Sequence, residues 1–306
     1  MFTLLIPVIL FAIFATNVPD TLYFKEKNFY SQEFNPKSNF FLLLGSSHIG
    51  QLNTTLINER LMNIDSSYSV YNLAYNKDNP QKRLIIIEDV IRLQPKIVLI
   101  GISYRDFELE NKTHILPDPH RYFTEISSYI IEETALPIED RVLPNPLLTT
   151  LTAIRHFTTQ NNDLRIHMLN TPFMEYSSNQ NIANDEELIN AVKSSKISST
   201  NVGLPSNNYQ LKALTKIIDN LHDNDIKTIV LVTPLHWSYL NEISNEQKHN
   251  FSLILNEIKK SEVNIYDLSA KYSYLPIWLN PHHVALNKTS SIYSEDVTEI
   301  IKNEMK

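Results

Sequence analysis

Short apolar runs of strand length alternate with segments of helical spacing in two parts of the chain. The first part predicts strands at residues 40–44, 68–74 and 96–103, and a helix opened by Asn79 and Pro80. The second part predicts a helix at 209–222, a strand at 227–233, a helix at 244–260, a strand at 264–268 and a helix at 289–302. Alternating strands and helices are typical of a parallel sheet with helices on both faces, so the pattern predicts a three-layer α/β fold.

This regularity fails between the two parts. Residues 107–206 contain recurring prolines, and their apolar positions follow neither the helical nor the strand period. We expect a helical and loop insertion at about 107–206, within a single α/β domain that spans residues 39–306.

The first residues of the chain are almost continuously apolar. Residues 2–15 contain only Thr3 as a polar side chain, and as a helix they would span about 21 Å, short of the ~30 Å core of a bilayer. We interpret residues 1–16 as a signal peptide or membrane anchor and residues 17–38 as a connector, which places the protein at the extracellular face, anchored or secreted. A buried N-terminal strand or helix is the alternative.

Composition narrows the classes of function. The chain has 306 residues, of which 42% are hydrophobic, enough for a packed core. The net charge of −7, without a cluster of Lys and Arg, argues against a nucleic-acid partner. The absence of cysteine excludes disulfides, thiolate metal sites and a Cys nucleophile.

The segment NFFLLLGSSHIG, residues 39–50, combines a strand, a glycine and the start of a helix. It predicts that Ser47 lies at a strand-to-helix turn, beside the unpaired N–H groups and the positive end of a helix dipole. A serine at such a turn is either a nucleophile or a helix cap, and this segment alone does not decide between them.

Polar side chains also follow the other predicted strands at their carboxyl ends. In a parallel sheet these ends share one edge, where functional groups gather. In chain order the residues there are Ser46, Ser47 and His48, then Asn72 and Ala74, then Ser103 to Asp106, then Thr233, Pro234 and His236, then Asn280, Pro281, His282 and His283.

Four of these blocks, GSSH at 45–48, NLA at 72–74, GIS at 101–103 and NPHH at 280–283, resemble the blocks of SGNH/GDSL hydrolases. The chain is particularly similar to membrane-tethered members that act on cell-surface polymers, such as alginate O-acetylation proteins and the D-alanyl transfer protein of teichoic acid systems. The resemblance covers about 39–109 and 209–301. It implies a flavodoxin-like sheet, a serine esterase or acyltransferase, and no cofactor.

The resemblance also implies roles for individual residues. Ser47 corresponds to the nucleophile and His283 to its general base, and the family's acid is replaced by Asn280, which accepts a hydrogen bond but carries no charge. With an amide partner, His283 is expected to titrate near neutrality. Asp267, at a strand end, is an alternative acid, although a local loop hydrogen bond is the commoner use of such a residue.

The family's oxyanion donors correspond here to Ser47, Ala74 and Ser103. Ser47 and Ala74 would donate backbone N–H groups, whereas Ser103 offers a hydroxyl in place of an amide side chain. A catalytic mechanism based on a Ser–His dyad or a Ser–His–Asn triad is therefore expected.

Other residues near these positions are candidates for lining the cleft: His48, Tyr104, Arg105, His236 and His282. Each also has a structural interpretation, as a wall histidine, a packed aromatic ring or, for Arg105, a local ion pair with Asp106. A metal site made from His48, His236, His282 and His283 is conceivable, but no carboxylate stands at ligand spacing with them, so the sequence favours no metal site.

The predicted substrates are small molecules or surface glycans that carry ester-linked acyl groups. The alternative is a catalytically weak or inactive relative that binds a glycan or assists a membrane O-acyltransferase. A flavodoxin-like binding protein also fits the strand pattern, but it leaves the NPHH loop without a role.

Overall fold

The computed structural model describes residues 30, 36, 39–75, 78–108, 180–195 and 201–306. These all belong to one compact unit, Phe29–Thr113 with Ile166–Lys306. The predicted signal peptide or anchor, nearly all of the connector and most of the predicted insertion lie outside the described residues.

The central sheet has five parallel strands: β1 (Asn39–Leu44), β2 (Tyr68–Asn72), β3 (Ile97–Ile102), β4 (Lys227–Val232) and β5 (Asn264–Asp267). Their order across the sheet is β2-β1-β3-β4-β5. This is the doubly wound, flavodoxin-like order, in which the winding reverses between β1 and β3. The predicted parallel sheet is confirmed.

The helices of the described ranges are α1 (Ser47–Gly50), α2 (Thr54–Met62), α3 (Pro80–Ile85), α4 (Ile87–Leu93), α5 (Asp185–Ser194), α6 (Tyr209–His222), α7 (Trp237–Glu242), α8 (Asn245–Lys259) and α9 (Ser291–Glu304). Short 3₁₀ turns lie at Tyr104–Phe107 and Pro205–Asn207, and a ribbon pairs β6 (Trp278–Asn280) with β7 (His283–Val284). Within these ranges no helix is both long and apolar enough to cross a membrane.

Helices cover both faces of the sheet. On one face, alternate strand residues pack with the apolar sides of α2 and α9 in a single cluster. The strand residues between them belong to the opposite face of the sheet and are also buried. On this second face α6 packs against β4, and α8 packs against β5. The predicted three-layer arrangement is confirmed.

Side-chain caps explain where the helices begin. The Asn79 side chain accepts from the Lys82 N–H with Pro80 in the first turn, and Asn208 caps α6 in the same way. The predicted helix after Pro80 is interrupted at Ile86, so it forms the two short helices α3 and α4. The short helix α7 and the β6-β7 ribbon were not predicted.

Two glycines allow the turn after β1 to close against the sheet. Gly45 has φ +143°, a conformation open mainly to glycine, and an added Cβ would lie 2.9 Å from the Gly101 carbonyl oxygen. A Cβ at Gly101 would lie 2.0 Å from Cγ1 of Ile49, a fully buried residue of α1. The missing side chain at Gly101 is therefore the space that Ile49 fills.

We predict that Gly101→Ala destabilises the protein by about 1–3 kcal/mol, because the new methyl group overlaps Ile49. Ile49→Ala alone is expected to cost about 2–5 kcal/mol by leaving a cavity. In the double variant the methyl group occupies part of that cavity, so the double variant should be destabilised by less than the sum of the two single substitutions. Urea denaturation of the four proteins measures this coupling, and strictly additive costs would contradict the proposed contact.

Candidate active site

Ser47 is the first residue of α1, three residues beyond the end of β1. The helix N-cap is Ser46, whose side chain makes no capping hydrogen bond. The Ser47 hydroxyl lies 2.7 Å from Nε2 of His283. The sequence left open whether Ser47 is a helix cap or a nucleophile, and in the structure the cap position belongs to Ser46.

His283 is held by the ribbon formed by β6 and β7, in which it pairs with Asn280. The Asn280 Oδ1 lies 3.1 Å from the His283 Nδ1 and also accepts the backbone N–H of His282 at 3.1 Å. The ribbon brings Asn280, His283 and Ser47 into one line of hydrogen bonds. In the sequence this segment stood out only as the NPHH block of the resemblance, and the ribbon that holds it was not predicted.

The hydrogen bonds of Asn280 fix the tautomer of His283. Because the backbone N–H of His282 can only donate, the atom that it contacts on Asn280 must be the amide oxygen. That oxygen can only accept, so the His283 Nδ1 carries a proton and donates it. The His283 Nε2 is then the unprotonated nitrogen, able to accept the hydroxyl proton of Ser47.

No carboxylate among the described residues contacts His283. Asp267, the alternative acid, accepts instead from the backbone N–H of Ser269. Burial, followed by His282 and the positive charge of Arg105, lowers the pKa of His283 to about 3. This corrects the expectation that the imidazole titrates near neutrality, since sequence alone did not reveal its burial.

The predicted oxyanion donors differ in their availability. The Ala74 N–H donates to the Asn72 side chain at 3.1 Å, and the Ser103 hydroxyl donates to Asp106 at 2.9 Å. In the described part of the chain, the Ser47 N–H has no hydrogen-bond partner. Of the three predicted donors, only Ser47 is therefore unengaged in this structure.

Asp106 caps the 3₁₀ turn that follows β3. Its carboxyl accepts from the backbone N–H of Ser103 at 2.5 Å and from the Ser103 hydroxyl. Burial nevertheless raises the pKa of Asp106 to about 7, because desolvation outweighs these bonds. A dominant ion pair with Arg105 would have lowered the pKa, so it is not the main influence on this carboxyl.

The five predicted cleft-lining residues separate into two groups. The rings of His48 and His282 lie 4.8 and 4.4 Å from that of His283 between centroids. Burial lowers the pKa of all three histidines, and the charge of Arg105 lowers it further. By contrast, Tyr104 stacks on Phe251, with 4.1 Å between ring centroids. His236 is buried and caps α7 through Ser238. Tyr104 and His236 therefore have structural contacts of their own.

The sequence assigns Asn72 no role beyond its place at a strand end in the NLA block. Its side-chain NH₂ donates to the carbonyl of Ile49 at 2.8 Å, while its Oδ1 holds the Ala74 N–H. Asn72 thus ties the end of β2 to α1. Because Asn72 is fully buried, both ends of its amide require hydrogen-bond partners, a requirement that only the structure reveals.

Comparisons with known proteins give matches only among solved structures. No family model matches the chain, and no curated protein matches it. An acetyl xylan esterase, AlAXEase, matches with a TM-score of 0.44 and 10% identity over 87% of this chain and 100% of its own. The lipase/acylhydrolase from Enterococcus faecalis matches with a TM-score of 0.44 and 11% identity, over 87% and 96%. TesA matches with a TM-score of 0.44 and 11% identity, over 87% of this chain and 99% of its own. With TM-scores below 0.5, these matches carry no argument about this chain.

We predict that Asp106→Asn changes how stability depends on pH. The folded-state pKa of Asp106, about 7, lies above its unfolded value near 3.8, so unfolding between these values releases a proton. The wild type should therefore lose stability relative to Asp106→Asn as pH rises from about 4 to 7, by up to about 1.4 kcal/mol per pH unit.

Urea denaturation between pH 4.5 and 8 measures this difference. Asp219→Asn, which removes an exposed carboxylate from α6, is the matched control and should show no such slope. A pH-independent difference between the wild type and Asp106→Asn would show that Asp106 is ionised in the folded protein throughout this range.

Proposed function

We propose that the chain is an SGNH-like serine esterase or acyltransferase that acts on ester-linked acyl groups. The observation that carries this proposal is the line of hydrogen bonds from Ser47 through His283 to Asn280. It combines a nucleophile, a base in the required tautomer and a group that orients the base.

In the proposed reaction the Ser47 oxygen attacks the acyl carbon while its proton passes to the His283 Nε2. The tetrahedral intermediate collapses as His283 returns that proton to the departing alkoxide, which leaves an acyl-serine ester. Water or an acceptor hydroxyl then attacks the ester, and His283 shuttles the proton again. The choice between water and an acceptor decides between hydrolysis and transfer.

The Ser47 N–H and the charge of Arg105 would stabilise the oxyanion. Besides burial, which has the larger effect, the positive charge of Arg105 lowers the pKa of the three histidines, and the same charge favours a developing negative charge. With the donors of Ala74 and Ser103 engaged, this stabilisation is weaker than a three-donor hole provides. Slow turnover is therefore expected.

The apolar segment at 2–15 supports export or anchoring at the extracellular face. Together with the resemblance to surface-polymer enzymes, it favours O-acylated surface glycans as the substrate class. A membrane O-acyltransferase is the partner that such a location would favour.

The alternative is a non-catalytic relative that binds a glycan or assists an acyltransferase. Two observations favour it: the neutral Asn280 in place of an acid, and the engaged donors of Ala74 and Ser103. Against it stands the bond between Ser47 and His283, which a binding protein does not need.

We predict that a fluorophosphonate probe labels the wild type at Ser47, because the reagent requires an activated serine. Ser47→Ala should abolish labelling and His283→Ala should slow it by about 100-fold or more, since general-base assistance contributes on that order. Mass spectrometry of the labelled peptide identifies the residue.

Ser46→Ala is the matched control, because Ser46 stands beside Ser47 but contacts His48 rather than His283. It should retain labelling at Ser47. Absence of labelling in the folded wild-type protein would favour the non-catalytic alternative.

We predict that Asn280→Asp accelerates labelling and ester hydrolysis by about tenfold or more, because a carboxylate stabilises the imidazolium that forms in the transition state. The same charge raises the pKa of His283 from about 3, so the acid limb of the pH–rate profile should move to higher pH. Asn303→Asp, on the exposed side of α9, controls for the added charge. An unchanged rate and profile would mean that Asn280 does not orient the base.

A further inference from the structure

Three imidazoles from two separate segments form a compact cluster. One ring nitrogen from each of His48, His282 and His283 lies within 4.8 Å of the others. His48 belongs to α1, whereas His282 and His283 follow the turn of the β6-β7 ribbon. The sequence predicted no metal site because it found no carboxylate ligand, but three imidazoles alone form a known ligand set for zinc.

His48 carries an unsatisfied nitrogen in this cluster. Its Nδ1 lies 3.1 Å from the Ser46 hydroxyl, but its Nε2 is buried and has no hydrogen-bond partner among the residues that the structure describes. His48 is only 7% exposed, so its Nε2 is shielded from bulk solvent. Leaving such a group unpaired costs about 1–3 kcal/mol, and the proposed acyl transfer gives His48 no role.

The contacts around the cluster match those of metal-ligating histidines. A metal-bound imidazole usually has its other ring nitrogen held by an oxygen, which directs the ligating nitrogen at the ion. Ser46 holds the Nδ1 of His48 in this way, and Asn280 holds the Nδ1 of His283. In both residues the Nε2 is therefore the nitrogen left to bind an ion.

We propose that His48, His282 and His283 bind a divalent transition-metal ion, with Zn²⁺ as the representative, and that the ion competes with Ser47 for the His283 Nε2. Tetrahedral zinc–nitrogen bonds of about 2.0–2.1 Å require nitrogens ~3.4 Å apart, so the rings close inward by about an ångström on binding. A water molecule completes the coordination. Arg105 opposes a cation here, so the site is weaker than a structural zinc site.

Binding would switch off the proposed acyl transfer. The Nε2 of His283 lies 2.7 Å from the Ser47 hydroxyl, and a nitrogen that coordinates a metal cannot also accept a proton. The inhibition rests on the proposed function, whereas binding of the ion does not.

The binding test uses tag-free full-length protein, freed of metal with a chelator that is then removed. Co²⁺ titration should produce the visible absorption of a tetrahedral cobalt site, and competition with a chromophoric chelator measures the affinity for Zn²⁺. His48→Gln should reduce both affinities by about tenfold or more, as should His282→Gln. His249→Gln, an exposed histidine of α8, is the matched control and should bind like the wild type.

Circular dichroism of each variant establishes that it is folded. If the wild type binds no Co²⁺ or Zn²⁺, or if folded His48→Gln and His282→Gln bind as tightly as the wild type, the metal site is refuted.

A second measurement separates the two proposals. Zn²⁺ should slow fluorophosphonate labelling of Ser47 in the wild type at the concentrations at which it binds. Labelling of metal-free protein without any ion binding refutes the metal site alone. Ion binding without labelling refutes the esterase alone. Binding together with undiminished labelling refutes the competition for His283.

Discussion

The close approach of Ile49 to the glycine at residue 101 determines where the candidate site can lie. α1 begins two residues beyond Gly45, and it packs against the sheet only because Gly101 presents no side chain to Ile49. Asn72 fixes the same segment from the neighbouring strand by donating to the Ile49 carbonyl. Ser47 and His48 precede Ile49 directly, so the positions of the proposed nucleophile and of the neighbouring histidine follow from this packing contact.

The second constraint is a single amide oxygen. Asn280 accepts from the backbone of His282 and from the ring of His283, and these two donors together decide both the amide orientation and the tautomer. An aspartate would orient the ring equally well and add a charge. Orientation and charge, which a carboxylate supplies together, are therefore separated in this protein, and only orientation is present.

Periodicity was sufficient to predict the sheet and the long helices, because strands such as β3 are buried along their whole length and α6 has one continuous apolar face. The β6-β7 ribbon could not be predicted, since strands of three and two residues carry no period. The engaged donors at Ala74 and Ser103 were also missed. Their acceptors are close neighbours in sequence, but only the folded geometry shows that they capture these donors.

Burial makes His283 a poor base when it is considered alone, with a pKa of about 3. During acyl transfer, however, the imidazolium forms together with an oxyanion on the adjoining substrate carbon. The pair has no net charge, so its mutual attraction offsets much of the desolvation that penalises a lone imidazolium. The charge of Arg105 destabilises the imidazolium but stabilises the oxyanion, so part of its effect on the pair cancels. The pKa of His283 in the free protein thus understates its basicity in the transition state. Compared with an aspartate, Asn280 lacks only the charge that would stabilise the imidazolium, because it still orients the ring.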